Sequence, residues 1–153
     1  MTMRQEIIDC GFEDMITGAP WNDLPPPPQS VIFGLNALEA HCKTMTPEMN
    51  DELISEYVVQ IQRLYQMFQA TVSSDWFDTI VGFVVRLPKI MVSQLAQRKP
   101  LALTMLAYWT AALKAADGTW WVHGWPRAVF SEINMVLDAD WKSHLRVPAK
   151  FFD

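Results

Sequence analysis

Residues 100–116 read PLALTMLAYWTAALKAA. The proline can occupy the first turn of a helix, where its missing N–H costs nothing. The residues after it are apolar on every side, interrupted only by Thr104 and Thr110 up to Leu113. A helix that is apolar all round is either a buried core helix or a membrane span. The run from Leu101 to Leu113 is shorter than the roughly 20 residues a span needs. It therefore predicts a central, fully buried helix, and a helix of that kind requires other helices to cover it.

The flanking sequence supplies them. Upstream, Ile54, Tyr57, Val58, Ile61, Leu64, Tyr65 and Phe68 recur at spacings of 3 and 4, with Asp51, Glu52 and Arg63 read as the solvated face. Thr46-Pro47-Glu48 is a start signal for this helix, which is expected to reach about Val72. Val31, Leu35, Leu38 and Cys42 mark an earlier helix, with Ser30 as its expected cap, running to about Lys43. Ser74 or Asp75 is expected to cap a helix through Trp76, Ile80 and Phe83. Pro88 ends that helix near Leu87 and opens another to about Arg98. Downstream, Gly118 is placed to stop the central helix, Gly124 closes a turn, and Pro126 begins a helix to about Leu137. Asp140 is the expected cap of a last short turn. No alternating strand run or hairpin signal is present. The fold class is all-α: one domain over residues 30–153, about seven helices, preceded by a segment 1–29. That segment holds a weak helix over residues 5–16 and the extended Pro25–Pro28 arm, read as a stiff connector.

Composition narrows the function. With 12 Lys+Arg against 17 Asp+Glu the net charge is -5 and the bases are not clustered, which argues against direct nucleic-acid binding. Cys10 and Cys42 form no disulfide framework, so a reduced intracellular, cytoplasmic setting is expected. His41, His123 and His144 lack metal-ligand spacing, and neither a metal nor a cofactor is expected. Asp75 and Asp78 read as helix-start acids and Cys42 as a buried structural thiol. No nucleophile elbow or glycine-rich phosphate loop occurs.

The unusual feature is tryptophan. Five of seven fall between positions 109 and 141, a density suited either to anchoring a core or to lining a cavity for a flat apolar molecule. The candidate walls are Tyr65, Trp76, Met105, Trp109, Trp120, Trp121 and Trp125; the candidate polar, catalytic groups are His123, Tyr108 and Arg127.

Two segments carry a family resemblance. Arg98-Lys99-Pro100-Leu101-Ala102-Leu103-Thr104-Met105-Leu106-Ala107-Tyr108-Trp109 and Trp120-Trp121-Val122-His123-Gly124-Trp125-Pro126 resemble segments of the C-terminal regulatory region of fungal zinc-cluster transcription factors of the sterol-uptake-regulator type. Leu137–Trp141 resembles the family's next segment; Val147-Pro148 (where the family has a tryptophan before the proline) and the Tyr57, Ile61, Leu64 stripe fit more weakly, so the likeness spans about residues 30–150. It implies an all-α region that binds an apolar, sterol-like ligand and commonly dimerises. The family's six-cysteine DNA reader has no counterpart in a chain with two cysteines. The expectation is a stand-alone, homodimeric pocket protein of fungal secondary metabolism. It would bind a terpenoid or polyketide and template its cyclisation or isomerisation, for example a [4+2] Diels–Alder closure, without metal or covalent catalysis. The alternative is a non-catalytic sterol-sensing or dimerisation module, nuclear if it is a regulator fragment.

Overall fold

The computed structural model describes residues 25–45, 48–71, 76–116 and 124–152. The expected helix over residues 5–16, the Thr46-Pro47 signal, the Ser74 and Asp75 caps and the Gly118 stop lie outside them. The described residues are all-α, with no strand among them.

Helix α1 (Gln29–Lys43) buries Val31, Leu35, Leu38 and Cys42, the stripe its spacing predicts. Its start differs from expectation. Pro28 occupies the capping position and its carbonyl accepts the Val31 and Ile32 N–H groups, while Ser30 lies inside the first turn. A proline fits there because it presets an extended entry and the position needs no N–H. Pro27 is buried against the chain's own fold and its neighbours in the arm are exposed.

Helix α2 (Asp51–Ala70) starts four residues later than the Pro47 signal suggests. Asn50 is the cap: its side-chain oxygen accepts the Leu53 N–H at 2.8 Å, and Asp51 and Glu52 add charge favourable to the helix start. Helices α3 (Trp76–Val85) and α4 (Lys89–Ala96) meet at Pro88 with a bend of 75°. Leu87-Pro88 cannot continue a helix, and the Pro88 carbonyl takes the first N–H groups of α4. After α4, Arg98 adopts φ 58°, a left-handed turn that sends the chain straight into α5.

Helix α5 (Pro100–Ala115) is the predicted centre, buried from Leu101 to Leu113 except for part of Leu106. Its two threonines are tolerated there because each hydroxyl bonds its own helix. Thr104 donates to the Pro100 carbonyl at 2.8 Å and Thr110 to the Ala107 carbonyl at 2.7 Å. Helix α6 (Trp125–Val136) enters through Gly124 at φ 90° and packs along α5 with Phe130 and Ile133. The C-terminus is a string of short turns: α7 (Ala139–Lys142), a 3-10 turn, α8 (Arg146–Ala149) and a last 3-10 turn. Asp138, not Asp140, caps α7, accepting the Trp141 N–H at 3.2 Å. Among the described residues no single helix is long and apolar enough to cross a membrane. Only α3 and α4 taken together have the length and composition, and they are sharply bent.

Candidate functional site

Two recesses adjoin at Phe83. The first is a cleft of about 190 Å³ between α2 and α3, lined by Arg63, Gln66, Met67, Asp78, Thr79, Phe83 and Arg86. The second is an apolar crevice of about 10 Å³ where α3, α4 and α5 meet, lined by Phe83, Leu87, Met91, Leu95, Ala102, Met105 and Leu106. A crevice of that size holds at most about one water. Its flexible methionine walls are what an opening, adaptable apolar site needs.

The cleft is built by a relay on α2. Gln60, which is buried, donates to Glu56 Oε2 at 2.9 Å and accepts from Arg63 Nη1 at 2.7 Å. These groups meet because residues three and four apart share a helix face. Arg63 also donates to the Phe83 carbonyl at 3.5 Å, and its guanidinium stands 4.8 Å from the Phe83 ring centroid. Arg63 is thus half-buried and not on the solvated face that periodicity assigned to it. Burial and the nearby charge of Arg86 lower its pKa, with Glu56 opposing them. Arg86 reaches the cleft by lying across Gly82, where a Cβ would come within 2.3 Å of its Nη1. Among the described residues neither arginine has a carboxylate at ion-pair distance; the one ion pair there is Lys43–Glu39, at 3.0 Å.

The predicted site residues are dispersed. Met105 lines the crevice. Trp109 is core: it is 8% exposed and its indole N–H donates to the Ile80 carbonyl at 2.7 Å, locking α5 to α3. Tyr65 and Trp76 are half-buried against the core, Trp76 with its ring edge-on to Phe77. Tyr108 is buried with its hydroxyl against Gly34 of α1 and its ring edge-on to Phe68, and burial pushes its pKa up. It faces neither recess. Arg127, exposed on α6, donates to the Phe152 carbonyl and lies over the Phe152 ring, so it clamps the C-terminus. Trp120, Trp121 and His123 lie outside the described residues, as does the side chain of Trp125, which opens α6.

Two further groups were not predicted from the sequence. His41 and His144 share a hydrogen bond at 2.8 Å, and the His41 ring stacks on Trp141 with centroids 4.4 Å apart. This fastens the C-terminal turns to α1. Burial, then the His41 charge, lowers the His144 pKa. Tyr57, buried on α2, donates to Gln94 Oε1 of α4 at 2.7 Å. Cys42 is fully buried, and burial followed by Glu39 pushes its thiol up to about 11. It is held as the neutral thiol, unsuited to nucleophilic attack. No group of three or more metal-ligating side chains occurs among the described residues.

No family model, no curated protein and no solved structure matches this chain. The site is read from its own geometry.

Proposed function

We propose that this protein binds a small apolar molecule, terpenoid, polyketide or sterol-like, in the crevice between α3, α4 and α5. The observation that carries the reading is the crevice itself: seven apolar side chains, from three helices and from Leu87 at the bend between two of them, two of them methionines, around a void too small to hold a ligand as it stands. Ligand pockets are usually about 300–1,000 Å³. Binding therefore swings Met91 and Met105 aside and parts α4 from α5, which makes the site a sensor: ligand changes the angle of the α3–α4 elbow. The exposed Val85, Ile90 and Val92 around that elbow are the surface on which such a change is read, by a second copy of the chain in a homodimer.

The test is a thermal-shift and tryptophan-fluorescence screen with terpenoids, polyketides and sterols. A ligand is expected to raise the melting temperature, and Met105→Phe, which fills the crevice, is expected to abolish the rise. No shift across the panel overturns the reading. Sedimentation as a monomer at micromolar concentration overturns the dimer.

A second reading, templated cyclisation, is favoured by the density of indoles at Trp120, Trp121 and Trp125. An apolar wall that selects a folded, near-attack conformer accelerates a unimolecular closure without a metal or a nucleophile. Incubation with linear precursors tests it: product ratios unchanged from buffer reject catalysis and leave the sensor.

A further inference from the structure

We propose that the Arg63–Arg86 cleft is an anion site that takes the carboxylate or phosphate head of the molecule whose apolar body occupies the adjoining crevice. The proposal rests on the ligand-binding reading above and adds the chemical class of the ligand: an amphipathic acid.

Three observations carry it. Two guanidinium groups line one cleft of about 190 Å³, large enough for a carboxylate or phosphate with some water. Neither has a carboxylate at ion-pair distance among the described residues, and each lies near enough to the other for their charges to repel. An anion entering the cleft relieves that repulsion and accepts paired hydrogen bonds of the kind guanidinium makes best. Arg63 is also preorganised: Gln60 fixes one nitrogen, the Phe83 carbonyl takes another, and the Phe83 ring supports the plane. A half-buried cation held in one orientation loses little side-chain freedom on binding.

The tail follows from Phe83, whose side chain is a wall of both recesses. A head at the arginines places the next few carbons along the Phe83 ring and leads them towards Met91 and Met105. Asp78 leaves the cleft's lining with one net positive charge, and Glu56 behind Gln60 offsets Arg63 further, which favours a monoanion. Thr79 and Gln66 supply neutral hydrogen-bonding groups beside it.

Calorimetry on the full chain at low salt tests the proposal with decanoate, decyl phosphate, decanol and inorganic phosphate. Decanoate or decyl phosphate is expected to bind roughly tenfold or more tighter than decanol, as a charge-assisted pair contributes at that level. The tighter of the two anions identifies the head group. Arg86→Gln, at an exposed position that leaves the fold intact, is expected to bring that anion down to the affinity of decanol. Arg63→Gln is expected to do the same, and Asp78→Asn to tighten the anion several-fold. Equal binding of decanoate, decyl phosphate and decanol overturns the anion site while leaving the apolar crevice standing. Full retention of anion affinity in Arg86→Gln also overturns it. Inorganic phosphate bound as tightly as decyl phosphate overturns the shared site of head and tail. Silence from all four probes overturns the crevice and this proposal together.

Discussion

Helix α5 and the α3–α4 elbow are comparable in length and apolar content, yet they meet opposite fates. In α5 the apolar faces are covered except for part of Leu106, and both threonine hydroxyls are answered inside the helix. In the elbow Phe77, Val85, Ile90 and Val92 remain exposed, two recesses open beside Phe83, and Arg86, like Arg63 facing it from α2, stands without an ion-pair partner among the described residues. The first region offers a ligand only the wall that Ala102, Met105 and Leu106 turn towards the elbow, and the second offers open space and charge. Function in a small helical domain is sought where packing is incomplete, because a completed core has neither space nor unspent polarity.

The largest effect should come from breaking α5. Trp109→Ala removes a buried indole and its bond to Ile80, and is expected to cost about 3–5 kcal/mol by chemical denaturation. A loss below about 1 kcal/mol would place Trp109 outside the core. Next is Gly34→Ala. A Cβ there would meet Tyr108 Oη at 2.3 Å and Val147 Cγ2 at 2.9 Å. Tyr108 is buried and has nowhere to retreat, so the clash outweighs the better helix propensity of alanine and costs about 1–3 kcal/mol. Tyr108→Phe in the same chain is expected to restore part of that loss, since it removes the offending oxygen. Strict additivity of the two changes would reject the contact.

The contrast between the two regions was half legible in the sequence. The burial of α5 follows from its unbroken apolar run, and the α1 and α2 stripes follow from spacing, because burial of one helix face is a local, periodic property. The start of α2 differs from the expectation because Thr46 and Asn50 are both competent caps four residues apart, and local spacing does not choose between them. The cleft was not legible. Arg63 sits on a polar edge of α2 like any solvated arginine, and only the arrival of Phe83 from α3 buries it. Nor does any spacing announce His41 against His144, 103 positions apart. Tryptophan density made Trp109 a candidate cavity wall, whereas the structure buries it in the core with its indole N–H on the Ile80 carbonyl; density carries no information on whether an indole faces a void.

Smaller effects sharpen the comparison at the edges of the core. Asn50→Ala removes the cap of α2 and is expected to cost about 1 kcal/mol, read as a lower denaturation midpoint; Thr46→Ala at the competing signal is expected to cost less. The imidazole pair gives a pH effect. His144 is held below its ordinary 6.5, so it stays neutral in the folded chain while the unfolded chain takes up a proton. The unfolded state then binds more protons, and stability rises with pH from the lowered folded value up to about 6.5, with no further gain from this group above that. Melting temperature is expected to fall on acidification through that window. His144→Asn is expected to flatten the fall; an unchanged slope would show that the pair does not govern it.

The smallest stability effect is the most informative, because it repeats the glycine substitution of α1 in the other region. At Gly82, as at Gly34, a new Cβ would meet an atom at 2.3 Å. The neighbour decides the outcome. At Gly34 it is the hydroxyl of a buried tyrosine, and at Gly82 it is the far end of the exposed Arg86 side chain. An exposed arginine swings away at little cost, and replacing glycine within a helix contributes about 0.5–1 kcal/mol of stability. Gly82→Ala is therefore expected to leave the melting temperature unchanged or slightly raised while Arg86 is displaced from the cleft. Decanoate affinity in this variant should fall to that of Arg86→Gln. If stability drops as far as in Gly34→Ala, the elbow is as tightly packed as α5 and the contrast between them fails. If stability holds and affinity holds too, Arg86 does not reach its anion across Gly82.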